Sequence, residues 1–189
     1  TPSDAYKWAL SGGLYSSSSG SSDARENSLS LRHYGELGSI AVERLSLRRF
    51  GYSDTAWALD AYPRLWPGAY AHVRYQQSDA HLLYPRLSWR AELHQNLEGG
   101  WEVSASRDEL KFSSPVQIDG IGLAKYWGNF YLRWRHQSVS SDSSSGQGDR
   151  LVLRYYYRGD ADHYWEVNMA NGRSMDDAGL ATTLSRSDT

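Results

Sequence analysis

Six histidines, at positions 33, 72, 81, 94, 136 and 163, share the 189-residue chain with 22 carboxylates and no cysteine. Acid–base or metal chemistry would have to be built from imidazole and carboxylate alone. His72 with Asp60 and Glu92 is one such set, because a two-residue alternation puts all three on the polar side of their segments. The spacing does not develop it. No His-x-Glu or Glu-x-x-His pair sits on a helical pattern, and no strand pair offers the reinforced ligand geometry of a zinc site. Asp160-Ala161-Asp162-His163 has the outline of a metal turn, but Asp-rich hairpin turns need no metal. Neither a Gly-x-Ser-x-Gly elbow nor a phosphate loop occurs, and Gly12-Gly13 and Gly99-Gly100 precede no helical pattern. The expectation is a protein that is not an enzyme and takes no cofactor or metal.

A second set has a different chemistry. Arg64, Arg74, Arg86, Arg90, Arg133, Arg135, Arg154 and Arg158 fall on the polar side of alternating segments, as do Asp60, Glu92, Glu102, Asp119 and Glu166. Tyr62, Tyr70, Tyr131 and Tyr156 join them. Such a face supports two readings. It is either an internal ladder of ion pairs that fills a narrow barrel, or a polar conduit for a sugar polymer. Rings stack on sugar faces, and guanidinium groups hydrogen-bond hydroxyls and carboxylates. The residues expected to face a lumen and touch a glycan are Asp60, Tyr62, Arg64, Arg74, Arg90, Glu92, Arg133, Arg135 and Arg154.

The elements that must position these side chains are strands. Leu87, Trp89, Ala91 and Leu93 alternate with Ser88, Arg90, Glu92 and His94, and Phe130, Leu132 and Trp134 alternate with Tyr131, Arg133 and Arg135. The pattern predicts strands near 5–16, 26–35, 39–51, 55–65, 68–77, 83–97, 100–112, 115–127, 129–140, 149–158 and 162–171, with a partial one over 179–189. Tight connections are expected at Trp66-Pro67-Gly68, Glu98-Gly99-Gly100, Gly128-Asn129 and Gly159-Asp160-Ala161. Long polar ones are expected at Ser16–Arg25, Gln77–Leu82 and Ser140–Gly148. In a meander, the alternation would put short turns at one end and long loops at the other. Strands of 10–14 residues exceed the usual 5–6 of soluble sheets and suit a tilted membrane crossing.

Composition agrees. Rings are abundant (8 Trp, 14 Tyr, 3 Phe), yet mean hydropathy is −0.65. An outward greasy face averaged against a polar lumen gives both. No run approaches the 18 consecutive apolar residues of a membrane helix. A net charge of −2 offers no bulk field for nucleic acid, although arginine outnumbers lysine 17 to 3. Serine is abundant (28 residues), and its runs at Ser16–Ser19 and Ser143–Ser145 read as exposed loops. Thr1-Pro2-Ser3 shows no leader features, so any signal peptide is expected to have been removed.

Four stretches in order carry a family resemblance: Arg48-Arg-Phe-Gly51, Asp60-Ala-Tyr-Pro-Arg-Leu65, Gly99-Gly-Trp-Glu-Val103 running on through Gly122-Leu-Ala-Lys-Tyr-Trp-Gly-Asn-Phe-Tyr131, and Gly159-Asp-Ala-Asp162 with Tyr164. They resemble the YaiO family of outer-membrane β-barrel proteins over most of residues 5–175. The resemblance implies an all-β, antiparallel up-and-down barrel of about 12 strands, one domain over 1–189, in a Gram-negative outer membrane. It also implies association with envelope polysaccharide export or assembly, with outer-membrane lipid, a polysaccharide and a periplasmic helical-repeat domain as partners. Family barrels finish on a strand with a terminal aromatic residue, so Leu184–Thr189 leads us to expect two or three closing strands beyond this chain. The alternatives from pattern alone are a secreted, soluble carbohydrate-binding β-sandwich and an extracellular adhesin or filament subunit joined through strand edges.

Overall fold

A computed structural model describes residues 7–19, 22–80, 82–142, 144–160, 163–173 and 178–187. Twelve strands make up nearly all of it: β1 (Trp8–Ser19), β2 (Ser22–Gly35), β3 (Gly38–Arg49), β4 (Tyr52–Trp66), β5 (Ala69–Ser78), β6 (Leu87–Leu97), β7 (Trp101–Lys111), β8 (Pro115–Trp127), β9 (Phe130–Ser141), β10 (Ser145–Tyr155), β11 (Tyr164–Arg173) and β12 (Ala178–Ser187). A single 3₁₀ turn, Glu98–Gly100, joins β6 to β7. Strands hydrogen-bond in sequence order from β1 to β12. A Greek-key sandwich would set non-consecutive strands side by side, so this order overturns the sandwich alternative.

The residues form two compact units. One comprises Thr1–Ala91 and Asp108–Val116, the other Glu92–Arg107 and Gln117–Thr189. In the first, β1 to β5 pair antiparallel, with Arg32 opposite Ala41, Ala41 opposite Asp60 and Asp60 opposite Arg74. In the second, β9 to β12 do the same, with Tyr131 opposite Arg154 and Arg154 opposite Glu166. Because the side-chain period is two, each opposed row shares one face. The register departs from regularity only between Arg64 and Trp66 on β4, among the registers of β1–β5 and β9–β12.

The expected strands are all present, but the connections differ from expectation. Ser16–Ser19 and Ser22–Arg25 belong to β1 and β2, paired up to Ser19 opposite Ser22. Ser140 and Ser141 end β9, and β10 starts at Ser145. A serine run was expected to form a loop, yet ladder hydrogen bonds come from the backbone, and serine alternates comfortably on a solvated strand. The long connections are 79–86, which follows the odd-numbered β5, and 156–163, which follows the even-numbered β10. The regular alternation of short and long connections along the chain is therefore not kept. Ala161 and Asp162 lie outside the described residues, and beside them Asp160 accepts from the His163 backbone N–H at 2.8 Å.

Length fits a membrane crossing. Strands of 10 to 15 residues span about 33–50 Å, or about 25–38 Å once tilted by roughly 40°. On β4 the outward row from Trp57 to Leu65 covers eight residue steps, about 20 Å after the same tilt, close to the apolar band of such barrels.

Candidate functional site

The polar face of the first unit is organised around Asp60. Its Oδ1 takes Arg32 Nη2 at 2.6 Å, and its Oδ2 lies 2.7 Å from His72 Nε2 and 3.4 Å from Arg74 Nη1. Arg74 also reaches Glu43 at 2.6 Å. The Tyr62 ring stacks parallel on His72 with centroids 4.4 Å apart, and the Arg32 guanidinium lies 5.3 Å from the same ring. Along the same face, Arg90 grips Asp108 with two hydrogen bonds of 2.6 and 2.8 Å. Small residues make room for these groups: Ala41, Ala56 and Ala58 are buried beside Asp60.

In the second unit the centre is Glu92. Arg133 Nη2 and Arg135 Nη1 lie 2.7 and 3.5 Å from its Oε1, and His94 Nε2 lies 3.6 Å from it. The other His94 nitrogen meets Glu102 at 3.1 Å. Arg135 also donates to Ser106 at 2.7 Å. Gly120 makes this possible, since a Cβ there would press on the Arg135 guanidinium and collide with the Ser106 hydroxyl. Farther along, Arg154 Nε donates to Glu166 at 2.5 Å, with its guanidinium over the rings of Tyr131 and Tyr164.

Burial runs opposite to that of a soluble protein. Among the described residues the buried polar set is Asp54, Asp60, Gln76, Ser78, Glu92, His94, Glu102, Ser106 and Asp108, while Leu31, Val42, Trp57, Leu59, Val73 and Leu123 are each more than 40% exposed. Soluble domains bury their large apolar groups and seldom expose contiguous patches of them. A sheet with lipid on one side and a polar interior on the other does the reverse. Residues 8–177 match the family described as YaiO membrane beta barrel domain. The chain belongs to that family. Neither the curated proteins nor the solved structures yield a match.

Membership in the YaiO family places the chain in a membrane, and its outward face carries the rings expected at a lipid interface. Trp127 stacks on Phe130 (5.7 Å), and Phe130 packs against Tyr155 (4.9 Å) at the ends of β8, β9 and β10. Lys125 Nζ lies over the Trp101 ring at 4.6 Å. These positions suit an aromatic girdle.

Of the nine residues expected on a lumen face, eight lie in the polar networks just described. Arg64 does not: its Nη1 reaches the Glu36 carbonyl at 3.4 Å, over the β2–β3 turn. Asp119 was expected inside and lies on the opposite face. Gly120, its neighbour, sits against Ser106 and Arg135, so the intervening carboxylate points outward and pairs with Arg107 at 2.7 Å. Arg158 and Tyr156 lie in the 156–163 connection, where Arg158 donates to His163 at 2.9 Å. His72 and Glu92 fall in separate networks, the first with Asp60 and the second with His94, Arg133 and Arg135.

Several groups escaped the sequence reading. Arg32, Glu43 and Asp108 show the same two-residue parity as their partners, and that parity was the available signal. Asp54 had none. Its carboxylate, buried to 2% exposure, accepts backbone N–H groups from Ala80 (3.2 Å), Leu82 (2.9 Å), Leu83 (3.0 Å) and Tyr84 (3.0 Å), besides its neighbour Thr55. Thr55 Oγ1 donates to Asp79 (2.7 Å) and Tyr84 donates to Glu26 (3.0 Å), so the 79–86 connection is tied down by side chains at both ends.

Proposed function

We propose that this YaiO-family barrel is a non-enzymatic component of a Gram-negative outer membrane, serving the export or assembly of an envelope polysaccharide. What supports the reading is one repeated arrangement: a guanidinium held by a carboxylate and laid against a tyrosine ring. It occurs with Arg32, Asp60 and Tyr62 in the first unit and with Arg154, Glu166 and Tyr131 in the second. Guanidinium donors and phenol hydroxyls set side by side on one polar face match the hydroxyls and carboxylates of a sugar chain.

The absence of a chemical step is part of the proposal. His72 is engaged by Asp60 and His94 by Glu92 and Glu102, and Asp60 and Glu92 are themselves gripped by arginines. That arrangement fixes position and charge. In planar bilayers the reading expects steady conductance that falls when a neutral oligosaccharide such as maltohexaose is added. A folded barrel that inserts but passes no current would contradict it.

A further inference from the structure

On the polar face of the second unit, β9, β10 and β11 line an open cavity of about 170 Å³. Four guanidinium groups line it, those of Arg133, Arg135, Arg150 and Arg154, together with the Glu166 carboxylate. Most of these groups are committed. Glu92 takes Arg133 and Arg135, and Glu166 takes Arg154 through one oxygen and the Asn168 amide through the other, at 3.2 Å. Arg150 is different. Among the described residues its partner is the neutral amide oxygen of Asn168, which accepts from Nε at 2.7 Å. No carboxylate among the described residues pairs with it, although it stands directly opposite Arg135 on β9.

Two cations opposed across a ladder repel each other, and the polarised Asn168 amide offsets little of that charge. The terminal nitrogens of Arg150 form a planar fork that matches the two oxygens of a carboxylate. Val152 supplies one small apolar wall between Arg150 and Arg154, suited to the CH side of a sugar ring. We propose that this cavity is a subsite for an acidic sugar unit, with its carboxylate seated on Arg150. The assignment rests on the glycan reading above and narrows it to polymers that carry carboxylates.

The test is calorimetric binding to the detergent-folded protein, with trigalacturonate and maltotriose as probes. Trigalacturonate is expected to bind at least about tenfold tighter than maltotriose, as one charge-assisted hydrogen bond would give, and to weaken with added salt. Arg150→Gln and Asn168→Asp should each remove that advantage and leave maltotriose binding unchanged. The second variant sets a carboxylate against Arg150 in place of the neutral amide and gives up the amide's hydrogen bond to Glu166; heat-modifiable mobility confirms that both variants fold. Equal binding of the two sugars would overturn the subsite and leave the glycan reading standing, whereas binding of neither would overturn both. Retention of the acid preference in both variants would overturn the role of Arg150. Equally effective competition by sodium phosphate would assign the cavity to free oxyanions and overturn the sugar assignment.

Discussion

Replacing Asp54 by alanine should release the 79–86 connection without unfolding the sheet. One carboxylate accepts four amides of that connection, three of them at 2.9–3.0 Å and on the same oxygen, Oδ2. Hydrogen bonds to a charged acceptor contribute about 1.5–3 kcal/mol each. Three donors sharing one oxygen weaken one another, and water replaces part of the loss once the chain swings free. At about 1 kcal/mol per amide, the clasp holds about 3–4 kcal/mol, or two to three decades in the local opening equilibrium. Hydrogen exchange of the detergent-folded barrel reads this directly. Amides of Leu82, Leu83 and Tyr84 should lose about 100- to 1,000-fold protection in Asp54→Ala, while those of β2 to β4 change little. Asp54→Asn retains one acceptor oxygen and should fall between. Protection at 82–84 within about threefold of the parent would refute the clasp. Equal loss across the strands would show that Asp54 supports the sheet and does not specifically hold the connection.

Other perturbations test other parts of the structure. Tyr84, in the same connection, has its phenol pushed above the ordinary range by burial and by the Glu26 carboxylate it donates to. A raised value means the folded state holds its proton longer, so the contribution is complete below about pH 10 and is lost as pH rises beyond it. Exchange at 82–84 should therefore accelerate above about pH 10 in the parent, and Tyr84→Phe, lacking the hydrogen bond, should start about 1 kcal/mol weaker with that pH step removed. Glu92→Gln strips the charge that holds Arg133 and Arg135. With the guanidiniums partly solvated, it should cost about 2–3 kcal/mol, measured as a lower denaturant midpoint in detergent. Gly38 has φ of 125°, and a Cβ there would collide with the Tyr62 carbonyl. Gly38→Ala should cost at least about 2 kcal/mol and lower the temperature at which gel mobility shifts.

Much of the fold was legible because a period of two is a strong signal when one face meets lipid and the other meets water. Trp57, Leu59 and Ala61 against Ala58 and Asp60 fixed the faces of β4 without any knowledge of its partners. The serine segments misled because composition was weighed against pattern. Ser16–Ser19 have no apolar alternation to show, yet they extend the β1–β2 ladder through their backbone. Asp119 misled for a related reason. Toward the loop end of β8 the outward face turns polar, so Asp119 and Arg107 pair outside the sheet, and polarity there no longer reports which face a residue occupies. The members of each ion-pair network were partly legible by parity, but their pairing was not. Which arginine meets which carboxylate depends on strand register, and the register was invisible until Asp60 lay opposite Arg74 and Arg154 opposite Glu166. The Asp54 clasp depends on where a connection folds back, which no periodicity encodes.

The central claim is that one face of each strand meets lipid while its neighbour face lies in a polar interior. A chain with no native cysteine allows a direct test by spin labels at single cysteines introduced one at a time from Trp57 to Ala61, in the folded barrel reconstituted in bilayers. Labels at 57, 59 and 61 should be readily relaxed by oxygen, which concentrates in lipid, and shielded from a water-soluble nickel chelate. Ala58 and Asp60 are buried under the ion-pair network, so labels at 58 and 60 should be immobilised and poorly relaxed by oxygen, giving a strict alternation along β4. Equal oxygen accessibility at all five positions, or chelate access at Leu59 exceeding its oxygen access, would contradict a membrane barrel with these faces.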